Sequence, residues 1–260
     1  MPQPKNRTLL LSFAFYIVSI LVAVLVLEGH SDSTAALEGS DTDTFTFVRL
    51  QYRGAWGHRG KWDTDWPASD RNFIFQLRKQ TNVAVSSKEK VIDIGSEELF
   101  HYPFGYMVDV KRLKFTDAEA RNLREYLLRG GFILVDDFHG KQAWKQFYKQ
   151  LKKIFPDREP EEIPISHPIF HCFYRINELA QIPGAGSARR GRTYERASDG
   201  GRHVQCLGIY DDNRRLMMMI NFNTDWGDAW EHAADSFYPR KYSDMAFKMG
   251  INAVVYSLTH

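Results

Sequence analysis

The segment TDAEARNLREYLLRGGFILVDD (116–137) constrains the fold more than any other stretch. Thr116 and Glu119 have the spacing of a capping box, in which each side chain satisfies the other's backbone amide. Leu123, Tyr126 and Leu127 fall on one side of the helix this predicts. Gly130 and Gly131 end it as a left-handed C-cap requires. FILV then runs apolar without polar alternation, the pattern of a strand buried on both faces. A second helix is predicted over 141–155, where Trp144, Phe147, Tyr148, Leu151 and Phe155 share a stripe. Lys141, Lys145, Lys149 and Lys152 lie largely off that stripe, so this helix is amphipathic and superficial.

The rest of the chain extends the alternation. FTFVRLQY (45–52), KVIDI (90–94) and FGYMVDV (104–110) read as strands. The spacing over 69–82 predicts a helix with Ser69 or Asp70 at its N-cap. Two strands at 203–210 and 214–221 enclose a turn at Asp211–Asn213, and Ser243 caps a final helix that is apolar nearly all round. Strand–helix alternation predicts an α/β domain with a mostly parallel sheet flanked by helices. Residues after Pro156 form an irregular connection. The Gly- and Arg-rich stretch 183–202 reads as a long exposed loop.

The N-terminal run TLLLSFAFYIVSILVAVLVL (8–27) is 20 residues without a charge. About 20 apolar residues in a helix span a bilayer core. Lys5 and Arg7 precede it and only acids follow closely, which places the N-terminus in the cytoplasm and the remainder outside. The length favours an uncleaved anchor over a signal peptide, whose apolar region is shorter; a cut within STAA (33–36) is the competing reading. The predicted organisation is a cytoplasmic N-terminus (1–7), a transmembrane signal anchor (8–27), a linker (28–44) and one α/β domain (45–260) on the periplasmic or extracytoplasmic side. A net charge of +2 gives no support to a nucleic-acid partner. Cys172 and Cys206 allow at most one bridge and read as two buried thiols.

Ligands of open parallel sheets bind beyond the carboxyl ends of the strands. Three loops there are rich in aromatics and acids: 53–67, 136–140 and 221–232. If 203–221 is a hairpin, Asp211 and Asp212 lie at the opposite end, and 221–232 joins the cluster. The acid–base candidates are Asp136, Asp137, His139, Asp225 and Glu231. The ligand-lining candidates are Trp56, Trp62, Asp65, Trp66, Asn221, Asn223, Trp226, Trp230 and His232. Neighbours on a strand face opposite ways, so Asp136 and Asp137 need not share a site; one of them capping the helix at 141 is the plainer reading. The tryptophans of the first loop either plug it down or line a pocket.

Other chemistries lack their signals. His167 and His171 have Pro168 between them and no zincin glutamate, and the acids at 231–235 lack calcium-loop spacing. No metal or other cofactor is predicted. Neither cysteine lies in a nucleophile elbow, and no phosphate-cradling glycine motif follows a strand. Arg189, Arg190, Arg192, Arg196 and Arg202 form a basic cluster that either contacts anionic lipid or an anionic polymer of the envelope or, the plainer reading, is a solvated loop.

FTFVRLQY, FHYPFGYM, LRGGFILVDDFHG, ISHPIFHCFYRI, GIYDDNRRLMMMINFNTDWGDAWEHA and GINAVVYSLTH, in that order, resemble the domain-of-unknown-function 4159 family. The resemblance spans about residues 45–260. It implies a flavodoxin-like or glutamine-amidotransferase-like fold, and bacterial envelope partners with von Willebrand-type domains and MoxR-type ATPases. It implies no reaction, and without a cysteine elbow glutamine hydrolysis does not follow. The expectation is an envelope-side domain that binds a ligand or protein partner at the strand rim. A hydrolase acting on a glycan or amide, and a non-catalytic scaffold, are the alternatives.

Overall fold

The computed structural model describes residues 44–55 and 60–260. The apolar segment 8–27, the linker as far as residue 43, Trp56 and His58 lie outside the described residues. Among the described residues no helix is long and apolar enough to cross a membrane.

The strands are β1 (Val48–Gln51), β2 (Lys90–Asp93), β3 (Phe104–Val108), β4 (Phe132–Asp136), β5 (Glu161–Glu162), β6 (Gln205–Tyr210) and β7 (Leu216–Phe222). The helices are α1 (Ala68–Gln80), α2 (Asp117–Leu128), α3 (Gly140–Ile154), α4 (Ala185–Ala188), α5 (Trp226–Glu231) and α6 (Arg240–Thr259). Among the described residues they build a seven-stranded sheet in the order β2–β1–β3–β4–β7–β6–β5. The first five of these strands run parallel, while β6 and β5 are antiparallel to their neighbours. The fold is therefore α/β, with a mostly parallel mixed sheet.

Helices cover both faces, each over its own core. On one face Phe73 and Leu77 of α1, Trp230 of α5 and Phe247 of α6 pack with Phe47, Tyr106 and Leu134. On the other, Leu123 and Leu127 of α2 and Phe147 and Leu151 of α3 pack with Leu50, Met107, Val135 and Ile220. Every residue of β4 is buried, as its unbroken apolar run predicts. The capping box forms: Thr116 Oγ1 accepts from the Glu119 amide at 3.1 Å, and Glu119 Oε2 accepts from the Thr116 amide at 2.6 Å. Such a cap contributes about 1 kcal/mol. Gly130 follows α2 at φ 111°, the left-handed exit its sequence implies.

Several local expectations change. α1 starts at Ala68, with no side-chain cap from Ser69 or Asp70. Both side chains instead meet Arg49 of β1: Asp70 Oδ2 accepts from Nε and Ser69 Oγ from Nη2, each at 2.9 Å. A buried guanidinium needs such partners more than a helix end open to water does. α6 begins at Arg240, one turn before Ser243, which is buried within it. β3 stops at Val108 because Asp109 takes a left-handed conformation, φ 49°. Cys206 is buried but Cys172 only partly so, and both are free thiols. The stretch 183–202 contains α4 and buried Ser187 and is tied to Asp228 through the Ala185 amide, while its arginines stay exposed as expected.

Candidate functional site at the carboxyl edge of the sheet

β4 and β7 are parallel, so the loops at 136–140 and 221–232 leave the same edge, and Asp211 and Asp212 lie at the other. The strand order reverses between β1 and β3, the kind of position where α/β sheets place ligands. Three neighbouring strands leave this edge in the same way. Asp109 after β3, Asp137 after β4 and Asn223 after β7 all have left-handed backbones, with φ of 49°, 52° and 64°. Such conformations cost roughly 1–3 kcal/mol each, and Asp and Asn bear them better than most residues.

Asp136 and Asp137 divide between two environments. Asp136 is fully buried, and its Oδ2 accepts from Tyr106 Oη at 3.1 Å, the Trp226 amide at 2.7 Å and the Gly227 amide at 3.2 Å. It thus steadies the start of α5 and not α3, whose N-cap is His139. Burial pushes the Asp136 carboxyl up to about 7, against the pull of those hydrogen bonds. Asp137 lies near His139 and Asp225: each residue offers a ligand atom, and these lie within 4.8 Å of one another. His139 Nε2 is 3.4 Å from Asp137 Oδ1. His139 is 9% exposed, and neither ring nitrogen has a hydrogen-bond partner among the described residues. Burial, then Lys111 and Arg196, pushes its pKa down to about 4, so the imidazole is neutral. Asp225 uses Oδ1 to accept from the Asp228 amide at 2.8 Å, capping α5. Burial raises the Asp137 and Asp225 carboxyls well above the usual range, and neighbouring aspartates raise them further.

A second group of acids lies against α5. Burial, followed by Asp228 and Glu231, pushes the Asp65 carboxyl up to about 8, and among the described residues its Oδ2 has no hydrogen bond. The loop that carries Asp65 is held by Arg49, whose Nη1 donates to the Trp62 and Thr64 carbonyls at 3.1 and 2.9 Å. Asp228, Glu231 and His232 also bring ligand atoms within 4.8 Å of one another, but His232 already meets Asp235 at 2.7 Å.

Beside the carboxylates lies an open cleft of about 840 Å³, whose lining includes His139, Gln142, Lys111, Arg112 and Arg196. Lys111 also pairs with Asp109 at 2.9 Å. Burial raises the Asp109 carboxyl, and Lys111 partly offsets this.

The structure therefore brings Asp137, His139 and Asp225 together, with Asp136 and Asp65 close by, and places Glu231 with Asp228 and His232 instead. It withdraws other candidates from the cleft. Trp230 is fully buried against Phe73 and Tyr106, with ring centroids 4.5 and 5.3 Å away, and Trp226 is buried beside it. Asn221 is buried, where its Oδ1 meets Cys206 Sγ. Asn223 is occupied by the backbones of Gly140, Gly200 and His203. Trp62 is buried in the core and packs on Trp66, which stays 40% exposed. Trp56 lies outside the described residues. The sequence did not point to Asp109, Lys111 and Tyr106, while Arg196 belongs to the basic cluster it singled out. Asp109 was within reach of the same strand-exit argument; Arg196 stood in the basic cluster, with nothing local to tie it to this edge.

Comparison with known proteins adds one match. The family model described as "Domain of unknown function (DUF4159)" matches residues 46–258. The comparison with curated proteins gives no match.

Proposed function

Since the chain belongs to the DUF4159 family, whose description names no reaction, we propose a function from the site: the domain binds an anionic ligand at the carboxyl edge of its sheet. The reading places this domain outside the cytoplasm, tethered by the apolar segment 8–27. The observation that carries it is the cleft itself, whose lining holds Lys111, Arg112 and Arg196 against one carboxylate, Asp199, with His139 at the exit of β4. Cations lining one concave wall concentrate anions there. Gln142 and Gln146 add amides to the same lining, a mixture suited to an acidic glycan or another carboxylate- or phosphate-bearing envelope molecule. The parallel strand order and the tight turn at Asp137 support a flavodoxin-like or amidotransferase-like sheet, with carboxylate and imidazole where a nucleophile elbow carries Ser or Cys.

The test is equilibrium binding of the full chain to a panel of uronic-acid oligosaccharides and sugar phosphates. Binding that Arg196→Glu and Lys111→Glu abolish, and that Asp211→Asn at the opposite edge leaves intact, supports the reading. Binding indifferent to both cleft variants overturns it. Protease accessibility in intact cells and after outer-membrane permeabilisation tests the side of the membrane.

A second reading, a hydrolase, is supported by carboxyls and an imidazole pushed apart in pKa: Asp136 to about 7, Asp65 to about 8 and His139 to about 4. Turnover of a glycan or amide that survives Asp137→Asn unchanged would remove that residue from any catalytic role.

A further inference from the structure

The most unusual group at this edge is His139. Among the described residues this buried imidazole has neither nitrogen hydrogen-bonded, and an unmet buried polar atom is costly, so the site invites a further ligand. The side chain is 6% exposed and its Nε2 is turned toward Asp137 Oδ1 at 3.4 Å. Asp225 contributes an oxygen to the same small space, the three ligand atoms lying within 4.8 Å of one another. Two carboxylates at this separation repel, and a hydrogen bond from a neutral imidazole satisfies one of them at most. A cation between the three answers the repulsion and the idle nitrogen together.

We propose that Asp137, His139 and Asp225 bind one divalent cation of the class that accepts imidazole beside carboxylate, such as Mn²⁺ or Zn²⁺. The support around the ligands fits this. The Asp228 amide, at 2.8 Å from Asp225 Oδ1, fixes that carboxyl's orientation, as outer-shell hydrogen bonds do at metal sites. The left-handed turn at Asp137 lets a residue at the strand exit and the residue two places on meet at one point. Three protein ligands leave open positions on the ion. Because His139 also lines the cleft, those positions suit an oxygen of the anionic ligand. The inference deepens the rim reading and takes the same edge as the working site, but its test contains no anion.

The experiment titrates the purified full chain, stripped with chelator, with Mn²⁺ alone, followed by calorimetry. The expected result is saturable binding of one ion per chain. His139→Ala and Asp137→Asn should each weaken it by about tenfold or more, and His232→Ala should leave it unchanged. Pulsed electron paramagnetic resonance of the Mn²⁺-loaded wild type and of His232→Ala should show nitrogen coupling in both; this reads the imidazole even if His139→Ala does not fold. No saturable binding, no nitrogen coupling, or loss of the coupling in His232→Ala would overturn the proposal. Anion binding measured in chelator reads the basic cleft separately, so either idea can fail while the other stands.

Discussion

The Asp136 carboxylate accepts a hydrogen bond from the Trp226 amide at 2.7 Å, joining the end of β4 to the start of α5 across ninety residues of chain. With the bonds from Gly227 and Tyr106 it fixes the 225–232 segment over the strand end. Asp136→Ala leaves two amides and a phenol without their acceptor in the interior. We expect a loss of roughly 3 kcal/mol in urea denaturation. Asp136→Asn keeps an acceptor oxygen and should cost clearly less; equal costs would show that the acceptor is not what matters.

Arg49 and Asp70 form a fully buried ion pair between β1 and α1. Asp70→Ala abandons a guanidinium in the core, and removing one partner of such a pair costs about 3–5 kcal/mol. The double substitution Arg49→Met with Asp70→Leu removes both charges and should recover much of that loss. A double variant as unstable as the single one would contradict this view. The single variant should also loosen the Asp65 loop, because Arg49 holds the Trp62 and Thr64 carbonyls, and hydrogen exchange at 62–66 should rise.

Stability should fall as pH rises from about 4 to 8 in chelator. Asp65 has its pKa raised to about 8, chiefly by burial and then by Asp228 and Glu231, with Arg49 opposing. A carboxyl raised in the folded state binds more protons there than in the unfolded chain. Its contribution is full below the unfolded value and is lost as pH rises through about 8. Asp136, raised to about 7, acts in the same direction. His139, lowered to about 4, acts oppositely: its contribution is present above the unfolded value and is lost as pH falls through about 4. Asp65→Asn should flatten the decline between pH 5 and 8, as read by thermal melts. An unchanged slope would exclude Asp65 as a source.

Gly184 touches the site from the stretch 183–202. A Cβ there would lie 2.7 Å from Asp225 Oδ2, 2.7 Å from Glu195 Oε1 and 3.0 Å from Asp228 Oδ2. Gly184→Ala should displace Asp225, which also caps α5, at a cost of about 1 kcal/mol. Mn²⁺ affinity should fall by about tenfold, with only a modest drop in melting temperature. Unaltered affinity would separate Asp225 from the cation.

What was legible in the sequence was local. The capping box, the glycine exit and the unbroken FILV run each state their structure within a few residues, and β4 with its preceding helix follows from them. The shared edge of 136–140 and 221–232 followed from alternation together with the hairpin argument. Features that depend on distant partners were not legible. Ser69 and Asp70 look like caps until Arg49 is placed beside them. Trp230 looks like a loop aromatic until α5 turns it into the core. Asp137, His139 and Asp225 show no metal spacing because the third residue arrives from another strand. Arg196 reaches the cleft only because its loop packs back on the sheet.

The most direct test is crystallographic: the full chain crystallised with Mn²⁺, with anomalous differences collected above the manganese edge. The account predicts one strong peak between the Asp137 and Asp225 carboxylates and the His139 ring. A map with no peak there, or with its only peak at Asp228, Glu231 and His232, would contradict it.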